Sequence, residues 1–269
     1  MYKYVVSDFD GTLIDDELSI PVSTIISIDY LRRNGIKFIV VTGRNASFVK
    51  YYVKDVDFID YIVSLNGSYI YDVINEKVIY EKSISKKKIK EIVNKYRKDN
   101  EIYLCTDNSR CFLNDKNKKT NEIIIRNLND FLVNNKVYKI EIHTNKKDID
   151  VVYNELLIDN TIKVNTNTYY NNDHLVEITN KGINKLFGIS KIINAQHGKL
   201  EEIIAFGDND NDVDLLSNVG LGICMKNSSK KLKSIIKNKT LSNNEKGFEK
   251  SINKIFKINY KKWYNIARW

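Results

Sequence analysis

The chain has 269 residues, a formal net charge of +9 at pH 7, and a composition that is 42% hydrophobic and 29% charged. Apolar residues are spread along the whole sequence, which excludes a chain that is disordered throughout and predicts a sizeable buried core. The length suits two domains better than one small domain, and no apolar run approaches the roughly 20 residues that a membrane-spanning helix requires.

Residues 1–80 alternate between apolar runs typical of buried strands and segments with the apolar spacing of a helix. The elements predicted in this part of the chain are a strand over 2–7, a helix from Pro21 to Asn34, a strand over 37–41, a helix over 46–53 and a strand over 61–65. Proline suits the first turn of a helix, and the Asn34-Gly35 pair ends it. This order of elements predicts a parallel sheet with right-handed crossovers.

A different pattern begins near Ile70, where 69–71 and 77–80 are predicted to form a hairpin. Further on, helices are predicted over 85–98 and 121–134, and strands over 101–106, 137–144 and 161–167. The earlier alternation returns with a helix over 182–195, a strand over 202–206, a helix opening at Asp212 and a strand over 220–225. We therefore predict an α/β core in two parts, 1–82 and 177–269, interrupted by an α+β insert over 83–176.

The positive charge has two interpretations, a nucleic-acid-binding surface or a composition that is simply rich in lysine. The lysines are scattered or lie in short runs such as 86–88 and 116–119, without the interleaved aromatic residues of a single-strand binding platform. We favour the second interpretation and expect no nucleic-acid partner. The charge would still steer small anions toward the protein.

Several features bear on the cellular setting. The N-terminal segment MYKYVVSDFD lacks the long apolar stretch of a secretory signal, so a cytoplasmic location is expected. Cys105, Cys111 and Cys224 have no CxxC spacing, which favours reduced thiols over disulfides or structural zinc. The aromatic and basic residues of 260–269 are expected to pack a last helix onto the core. A monomer is compatible with the sequence.

Polar, glycine-containing segments follow four of the predicted core strands, at 8–12, 42–44, 64–67 and 207–212. Ligands of open parallel sheets bind beyond the carboxyl ends of the strands, so we expect these segments to converge. Asp8 and Asp10 are close enough to repel each other, and a cation relieves such repulsion. Hard oxygen ligands suit Mg²⁺, which also bridges to phosphate. Taken alone, DFDGT is equally compatible with an acidic loop, and a Thr-Gly pair after a strand is more often an ordinary loop, so only the combination of segments carries the argument.

The combination of DFDGT at 8–12, TGR at 42–44 and GDNDND at 207–212 resembles the haloacid dehalogenase superfamily of phosphotransferases. The segments SLNGSYIYD, MKNSSKKLK and LSNNEKGFEK are similar to segments of its Cof-type subfamily. The insert resembles the type IIB cap of that subfamily in position and size. The resemblance implies a doubly wound, Rossmann-like parallel-sheet core with an inserted α+β cap domain.

The resemblance also implies catalytic roles for two carboxylates. Asp8 matches the nucleophile, which attacks phosphorus and forms an aspartyl-phosphate. Asp10 matches the general acid/base, which protonates the leaving alkoxide and then activates water. Phe9 stands where leucine is usual and is expected to contribute its backbone N–H to phosphate binding.

Phosphate and metal ligands are implied in the same way. The expected substrate- or phosphate-binding residues are Phe9, Thr42, Gly43, Arg44, Asn66, Lys185 and Asn211. The expected Mg²⁺ ligands are Asp8, Asp10 through its backbone carbonyl, Asp208 and Asp212. Stabilising the oxygens of the transferring phosphoryl group is most of the catalytic task in such enzymes.

The motif-three lysine has two candidates. Lys185 aligns by its distance from Glu177-Ile178, although the glycine that usually follows is replaced by Leu186. Lys181 is followed by a glycine and is the second choice.

The function predicted from these residues is Mg²⁺-dependent hydrolysis of small phosphorylated metabolites, such as sugar phosphates or phosphorylated cofactors. One alternative is a phosphomutase of the same superfamily. Another is a basic nucleic-acid-binding or regulatory protein with a vestigial site, against which the intact set of carboxylates counts. The cap is expected to close over the site and to set substrate specificity.

Overall fold

A computed structural model describes residues 1–54, 58–113, 123–168 and 174–258. The predicted C-terminal packing of 260–269 and the lysine run at 116–119 lie outside the described residues. Along the described ranges, no helix combines the length and the apolar character that crossing a bilayer requires.

In chain order, the strands of the described ranges are β1 (Tyr4–Asp8), β2 (Lys37–Val41), β3 (Tyr61–Ser64), β4 (Tyr69–Asp72), β5 (Lys77–Glu81), β6 (Glu101–Cys105), β7 (Arg110–Phe112), β8 (Ile123–Ile124), β9 (Lys139–Thr144), β10 (Ile162–Thr168), β11 (His174–Asn180), β12 (Ile203–Gly207) and β13 (Leu221–Cys224). The helices are α1 (Val22–Arg33), α2 (Ala46–Tyr52), α3 (Lys86–Tyr96), α4 (Leu128–Asn134), α5 (Ile149–Leu157), α6 (Lys185–Ala195), α7 (Val213–Asn218), α8 (Lys230–Ile235) and α9 (Gly247–Phe256).

The chain divides into two compact units. The first consists of Met1–Val41, Tyr52–Tyr61 and the chain from Ile192 onward, and the second of Thr42–Tyr51 and Ile62–Lys191. The predicted domain bounds, 1–82, 83–176 and 177–269, stay a prediction.

The first unit contains parallel strands in the order β13–β12–β1–β2. Every residue of β1 is buried, as in a strand covered on both faces, and this explains its continuous apolar sequence. Asp8 at the end of β1 pairs in register with Val41, and Gly207 at the end of β12 pairs with Cys224. The predicted α/β class with a parallel-sheet core is confirmed.

Helix α9, for which no bounds were predicted from the sequence, closes the first unit against α1. The hydroxyls of Ser23 and Thr24 on α1 donate to the Glu249 carboxylate at 2.6 and 3.1 Å. The Phe248 ring meets the Phe38 ring of β2 edge-on, with 5.8 Å between centroids. The amphipathic helix is thereby fixed both to its neighbouring helix and to the sheet.

The second unit contains the predicted hairpin, formed by the antiparallel strands β4 and β5, and a larger sheet. That sheet has six strands in the order β10–β11–β9–β6–β7–β8, antiparallel except for the β7–β8 pair. Apolar side chains of β6, β9 and β11 form one buried cluster with those of α3, α4 and α5. The opposite face of β9 carries Lys139, Glu141 and His143 by strand alternation.

One predicted helix was wrong in its extent. Residues 121–122 lie outside the described residues, Ile123–Ile124 form β8 against β7, and the helix begins only at Leu128. The side chain of Asn127 accepts hydrogen bonds from the backbone N–H groups of Asn129 and Asp130. An asparagine cap of this kind starts a helix and prevents its extension toward the N-terminus.

Candidate active site

Asp8 lies at the carboxyl end of β1 and is buried. Its Oδ1 accepts a hydrogen bond of 2.7 Å from the backbone N–H of Phe9. The Ser7 hydroxyl donates to the Asp8 carbonyl oxygen at 2.7 Å. The carboxylate is therefore held by its own following amide, and the Phe9 ring is fully buried beneath the turn.

Gly11 lets the turn after β1 approach the end of β12. Its φ is +68°, and a Cβ built on it would lie 2.6 Å from Asp208 Oδ2. The Thr12 hydroxyl donates to Asp208 Oδ1 at 2.9 Å. Only glycine leaves this space to the carboxylate, which is a physical reason for the Gly in DFDGT.

Asp212 organises the turn that follows β12. Its Oδ2 accepts from the backbone N–H groups of Asp208 and Asn209, both at 3.0 Å, and its side chain is fully buried. A Cβ on Gly207 would lie 2.4 Å from Asp212 Cγ. The fold of this acidic turn therefore depends on Asp212 itself.

Three carboxylates of the first unit come together. Each of Asp8, Asp208 and Asp212 offers one oxygen, and these oxygens lie within 4.8 Å of one another. Asp10 lies half-buried on the turn after β1 and outside this group of carboxylates, and Asn211 lies half-buried on the turn after β12. Carboxylates at this spacing repel one another, and a bound cation would offset the repulsion.

In the second unit, the segment 42–44 is held by backbone hydrogen bonds. Thr42 N–H donates to Val63 O at 2.8 Å, Asn66 N–H to Thr42 O at 3.0 Å, and Leu65 N–H to Arg44 O at 2.9 Å. Arg44 N–H also donates to the Thr42 hydroxyl at 3.1 Å. The Arg44 guanidinium itself is exposed and lies 4.6 Å from the centroid of a neighbouring phenylalanine ring.

The turn 65–67 has left-handed backbone throughout, with φ of 52° at Leu65, 56° at Asn66 and 100° at Gly67. Two consecutive non-glycine residues in this region store strain, a property often found at functional turns. A Cβ on Gly67 would lie 2.3 Å from the carbonyl oxygen of Asn184. The turn therefore packs directly against the start of α6, whose first residue is Lys185.

Burial separates the two candidates for the motif-three lysine. The Lys185 side chain is 1% exposed, whereas Lys181 is exposed to solvent. Lysine is almost never fully buried unless its ammonium is paired with polar groups. This difference favours Lys185.

The prediction from sequence missed a buried ionic network in the second unit. Lys139 Nζ lies 2.7 Å from Glu141 Oε1, 2.7 Å from Glu177 Oε1 and 2.9 Å from the Gly43 carbonyl oxygen. Arg110 Nε lies 2.6 Å from Glu141 Oε2. Desolvation pushes the pKa of Glu141 upward, but the charge of Lys139, a hydrogen bond with His143 and the charge of Arg110 outweigh it and hold the pKa well below its ordinary value. The only hint in the sequence is the alternation of charged residues along β9.

The structure thus assembles two groups of predicted site residues. Asp8, Asp208 and Asp212 meet in the first unit, and Thr42, Gly43 and Asn66 meet in the second. The convergence of all four strand ends stays a prediction.

Comparison with known proteins agrees with this fold. A sequence profile of the haloacid dehalogenase-like hydrolases matches residues 5–252. The 5-amino-6-(5-phospho-D-ribitylamino)uracil phosphatase YitU of Bacillus subtilis (strain 168) is 25% identical over 264 residues, which cover 94% of this chain and 97% of that protein. A haloacid dehalogenase-like hydrolase structure from B. subtilis superposes with a TM-score of 0.83 at 18% identity, covering 93% of this chain and 99% of its own. A sugar phosphatase of haloacid dehalogenase subclass IIB, BT4131, superposes with a TM-score of 0.79 at 24% identity, covering 95% and 100%.

The core has parallel strands, and the family profile matches most of the chain. The chain therefore belongs to the haloacid dehalogenase-like hydrolases. Two relatives that align with most of this chain are named as phosphatases. The protein is a phosphatase of this family.

Proposed function

We propose that the protein hydrolyses small phosphorylated metabolites in a Mg²⁺-dependent reaction that passes through an aspartyl-phosphate on Asp8. The observation that carries this proposal is the group of carboxylate oxygens from Asp8, Asp208 and Asp212 within 4.8 Å of one another. A phosphatase needs a nucleophile beside a means of neutralising an anionic substrate, and this group offers both.

The donor set fits Mg²⁺. All three side chains offer hard oxygen atoms, which this cation prefers, and two backbone N–H groups hold the Asp212 carboxylate in place through its Oδ2. Asp8, Asp208, Asp212 and the backbone carbonyl of Asp10 would hold the ion. When bound, it supplies positive charge against the nucleophile and the phosphate.

The residues of this chain would divide the reaction into two displacements. In the first, an Asp8 carboxylate oxygen bonds to phosphorus, the ester P–O bond breaks, and Asp10 gives its proton to the leaving alkoxide. In the second, Asp10 takes a proton from water, the water oxygen bonds to phosphorus, and the Asp8–phosphorus bond breaks to release inorganic phosphate.

The Thr42 hydroxyl, the Gly43 N–H, the Asn211 amide and the Lys185 ammonium are the proposed donors to the phosphate. The Phe9 N–H, which donates to Asp8 Oδ1 in this structure, would exchange that acceptor for a phosphate oxygen. Arg44 and Asn66 are proposed as further substrate contacts.

The proposed substrate class rests on the relatives. YitU is named as the phosphatase of a phosphorylated ribitylamino-uracil, and BT4131 is named as a sugar phosphatase. We therefore propose phosphorylated sugars and phosphorylated cofactors or their precursors as substrates of this chain.

The deciding experiment is a hydrolysis screen of phosphorylated metabolites, each with excess Mg²⁺ and with excess chelator. Release of inorganic phosphate should require Mg²⁺ and should be absent from the Asp8→Asn variant. Full activity in excess chelator would overturn the proposed metal dependence. Full activity of Asp8→Asn would overturn the proposed nucleophile.

A further inference from the structure

Lys139 is a charged residue inside the second unit. It lies on β9 with a side chain that is only 5% exposed, next to Ile140, which is fully buried in the apolar cluster. Lysine at such a position is rare, because burial of an ammonium costs free energy that close polar partners must offset.

The Lys139 ammonium has three acceptors. They are Glu141 Oε1 and Glu177 Oε1, both at 2.7 Å, and the Gly43 carbonyl oxygen at 2.9 Å. An ammonium carries three N–H donors, which is enough for one hydrogen bond to each of these acceptors. Two of the acceptors are carboxylates from neighbouring strands of the six-stranded sheet, and the third is backbone of the segment 42–44.

The contact to Gly43 fixes the peptide group between Gly43 and Arg44. The carbonyl end of that peptide group accepts from Lys139, and its N–H end donates to the Thr42 hydroxyl. A peptide unit is planar, so two contacts at opposite ends determine its rotation. The orientation of the Thr42 hydroxyl is tied to the same unit.

Glu177 extends the network to the second polar turn. Its Oε2 accepts from Asn66 Nδ2 at 3.3 Å, and Asn66 Oδ1 lies 3.3 Å from where a Gly43 Cβ would be. A chain of contacts therefore runs from Gly43 through Lys139 and Glu177 to Asn66.

Stability alone does not account for this arrangement. Well-packed apolar residues often replace a buried ion pair without loss of stability, so an ionic core is poor evidence of a stabilising purpose. An apolar side chain in place of Lys139 would fill the same space, but it could not hold a backbone carbonyl in one orientation.

We propose that Lys139 is a positioning residue that orients the phosphate-binding segment 42–44 from the six-stranded sheet. This inference rests on the proposed function of Thr42 and Gly43 in phosphate binding. Lys139 acts through the Gly43 carbonyl and takes no part in bond making. Its loss should weaken the binding of phosphate in substrate and product alike.

The test compares three variants on one generic ester, p-nitrophenyl phosphate. Lys139→Met removes the ammonium, and Lys139→Met/Glu177→Gln removes one carboxylate charge with it, so that the buried charge is balanced again. Lys136→Met is the matched control, because Lys136 is 61% exposed and pairs with Glu81 at the surface. Melting temperature, KM, kcat and the inhibition constant of inorganic phosphate are measured for each.

The double variant should melt close to the wild type, while its KM and its phosphate inhibition constant each rise by roughly tenfold or more, as expected for a displaced binding group. Lys136→Met should match the wild type in every readout. A folded double variant with wild-type KM and phosphate inhibition would overturn the inference.

If the double variant does not fold, Lys139→Arg decides the question. A planar guanidinium keeps the charge, but its five donors lie in one plane on three nitrogen atoms, so it cannot reproduce the contacts that a single ammonium nitrogen makes. KM and the phosphate inhibition constant should again rise, and wild-type values in this variant would overturn the inference.

A separate outcome is that the wild-type protein hydrolyses no phosphate ester at all. That result would overturn the proposed function and with it the role of Lys139.

Discussion

Asp8 and Asp212 are both buried carboxylates of the same acidic group, but they differ in their hydrogen bonds to the neighbouring backbone. Asp212 Oδ2 accepts two backbone hydrogen bonds, so this side chain shapes its turn as well as facing the group. Asp8 Oδ1 accepts one hydrogen bond from the adjacent Phe9 amide. An asparagine at position 8 keeps an oxygen for that bond, whereas a change at position 212 disturbs the turn itself.

Asp8→Asn should therefore lose turnover and keep the fold. The amide retains the acceptor for Phe9 but is not a nucleophile, so the rate should fall by several orders of magnitude, or several kcal/mol in the barrier. Phosphate release and thermal melting of the purified variant check this, with the exposed carboxylate of Asp150 changed to Asn as the control. Near-wild-type turnover would show that Asp8 is not the nucleophile.

Lys185→Ala should raise KM and lower kcat for every phosphate ester, because the buried Lys185 ammonium, a proposed phosphate donor, is lost. Lys181→Ala is the matched comparison, four residues away and exposed. It should leave both constants near the wild type. The reverse result would transfer the motif-three role to Lys181.

Residues that belong to short local motifs, such as Asp8 and Thr42, could be proposed as site residues from the sequence. It did not predict Lys139, because that lysine is one of 43 basic residues and nothing local distinguishes it. Its burial results from pairing with Glu141 and Glu177, and Glu177 lies on a strand that follows much later in the chain. Such an interaction exists only in the folded sheet.

At the scale of elements, strands with continuous apolar sequence were predicted closely, since β2 has the predicted bounds and β12 and β13 differ by a residue or so. The helix α5 was not predicted, and its sequence contains the β-branched pair Val151-Val152, which is also compatible with a strand. Packing of Ile149 and Leu156 into the apolar cluster decides in favour of the helix.

The turn 65–67 allows a test of how it packs on α6. In Gly67→Ala the new methyl group would lie 2.3 Å from the Asn184 carbonyl oxygen, so overpacking should cost about 1–3 kcal/mol beyond the strain of a positive φ. Gly182→Ala is the control, because Gly182 has a φ of +77° with no heavy atom within 4 Å of the new carbon among the described residues. In urea unfolding, the free energy of unfolding of Gly67→Ala should be well below that of Gly182→Ala. Equal free energies would contradict the packing of the turn on α6.

At the scale of the whole molecule, the family and the fold class agree between sequence and structure, because both depend on patterns that extend over most of the chain. The expected cytoplasmic location and the expected absence of a nucleic-acid partner stay predictions. So does the expectation that the cap sets substrate specificity, because specificity depends on contacts with a substrate.

Acid should destabilise the folded protein through Glu141. Its folded pKa is held below the ordinary value of 4.5, so its contribution to stability is present above that pH and is lost as the pH falls through the folded pKa. Urea midpoints measured from neutral pH down to about pH 3 should show a weaker pH dependence in Glu141→Gln than in the wild type. The exposed control Glu17→Gln should retain the wild-type dependence. An unchanged slope in Glu141→Gln would show that this carboxylate does not couple protonation to unfolding.

The contact between Thr12 and Asp208 joins residues 196 positions apart. While the chain is being synthesised, the first turn of the acidic group is therefore complete long before its partner exists. A nascent chain that stops short of Asp208 has the proposed nucleophile but only part of the proposed metal-binding group. Competence for phosphoryl transfer is thus delayed until most of the polypeptide has been made, and an incomplete product of translation would be inert toward phosphorylated metabolites.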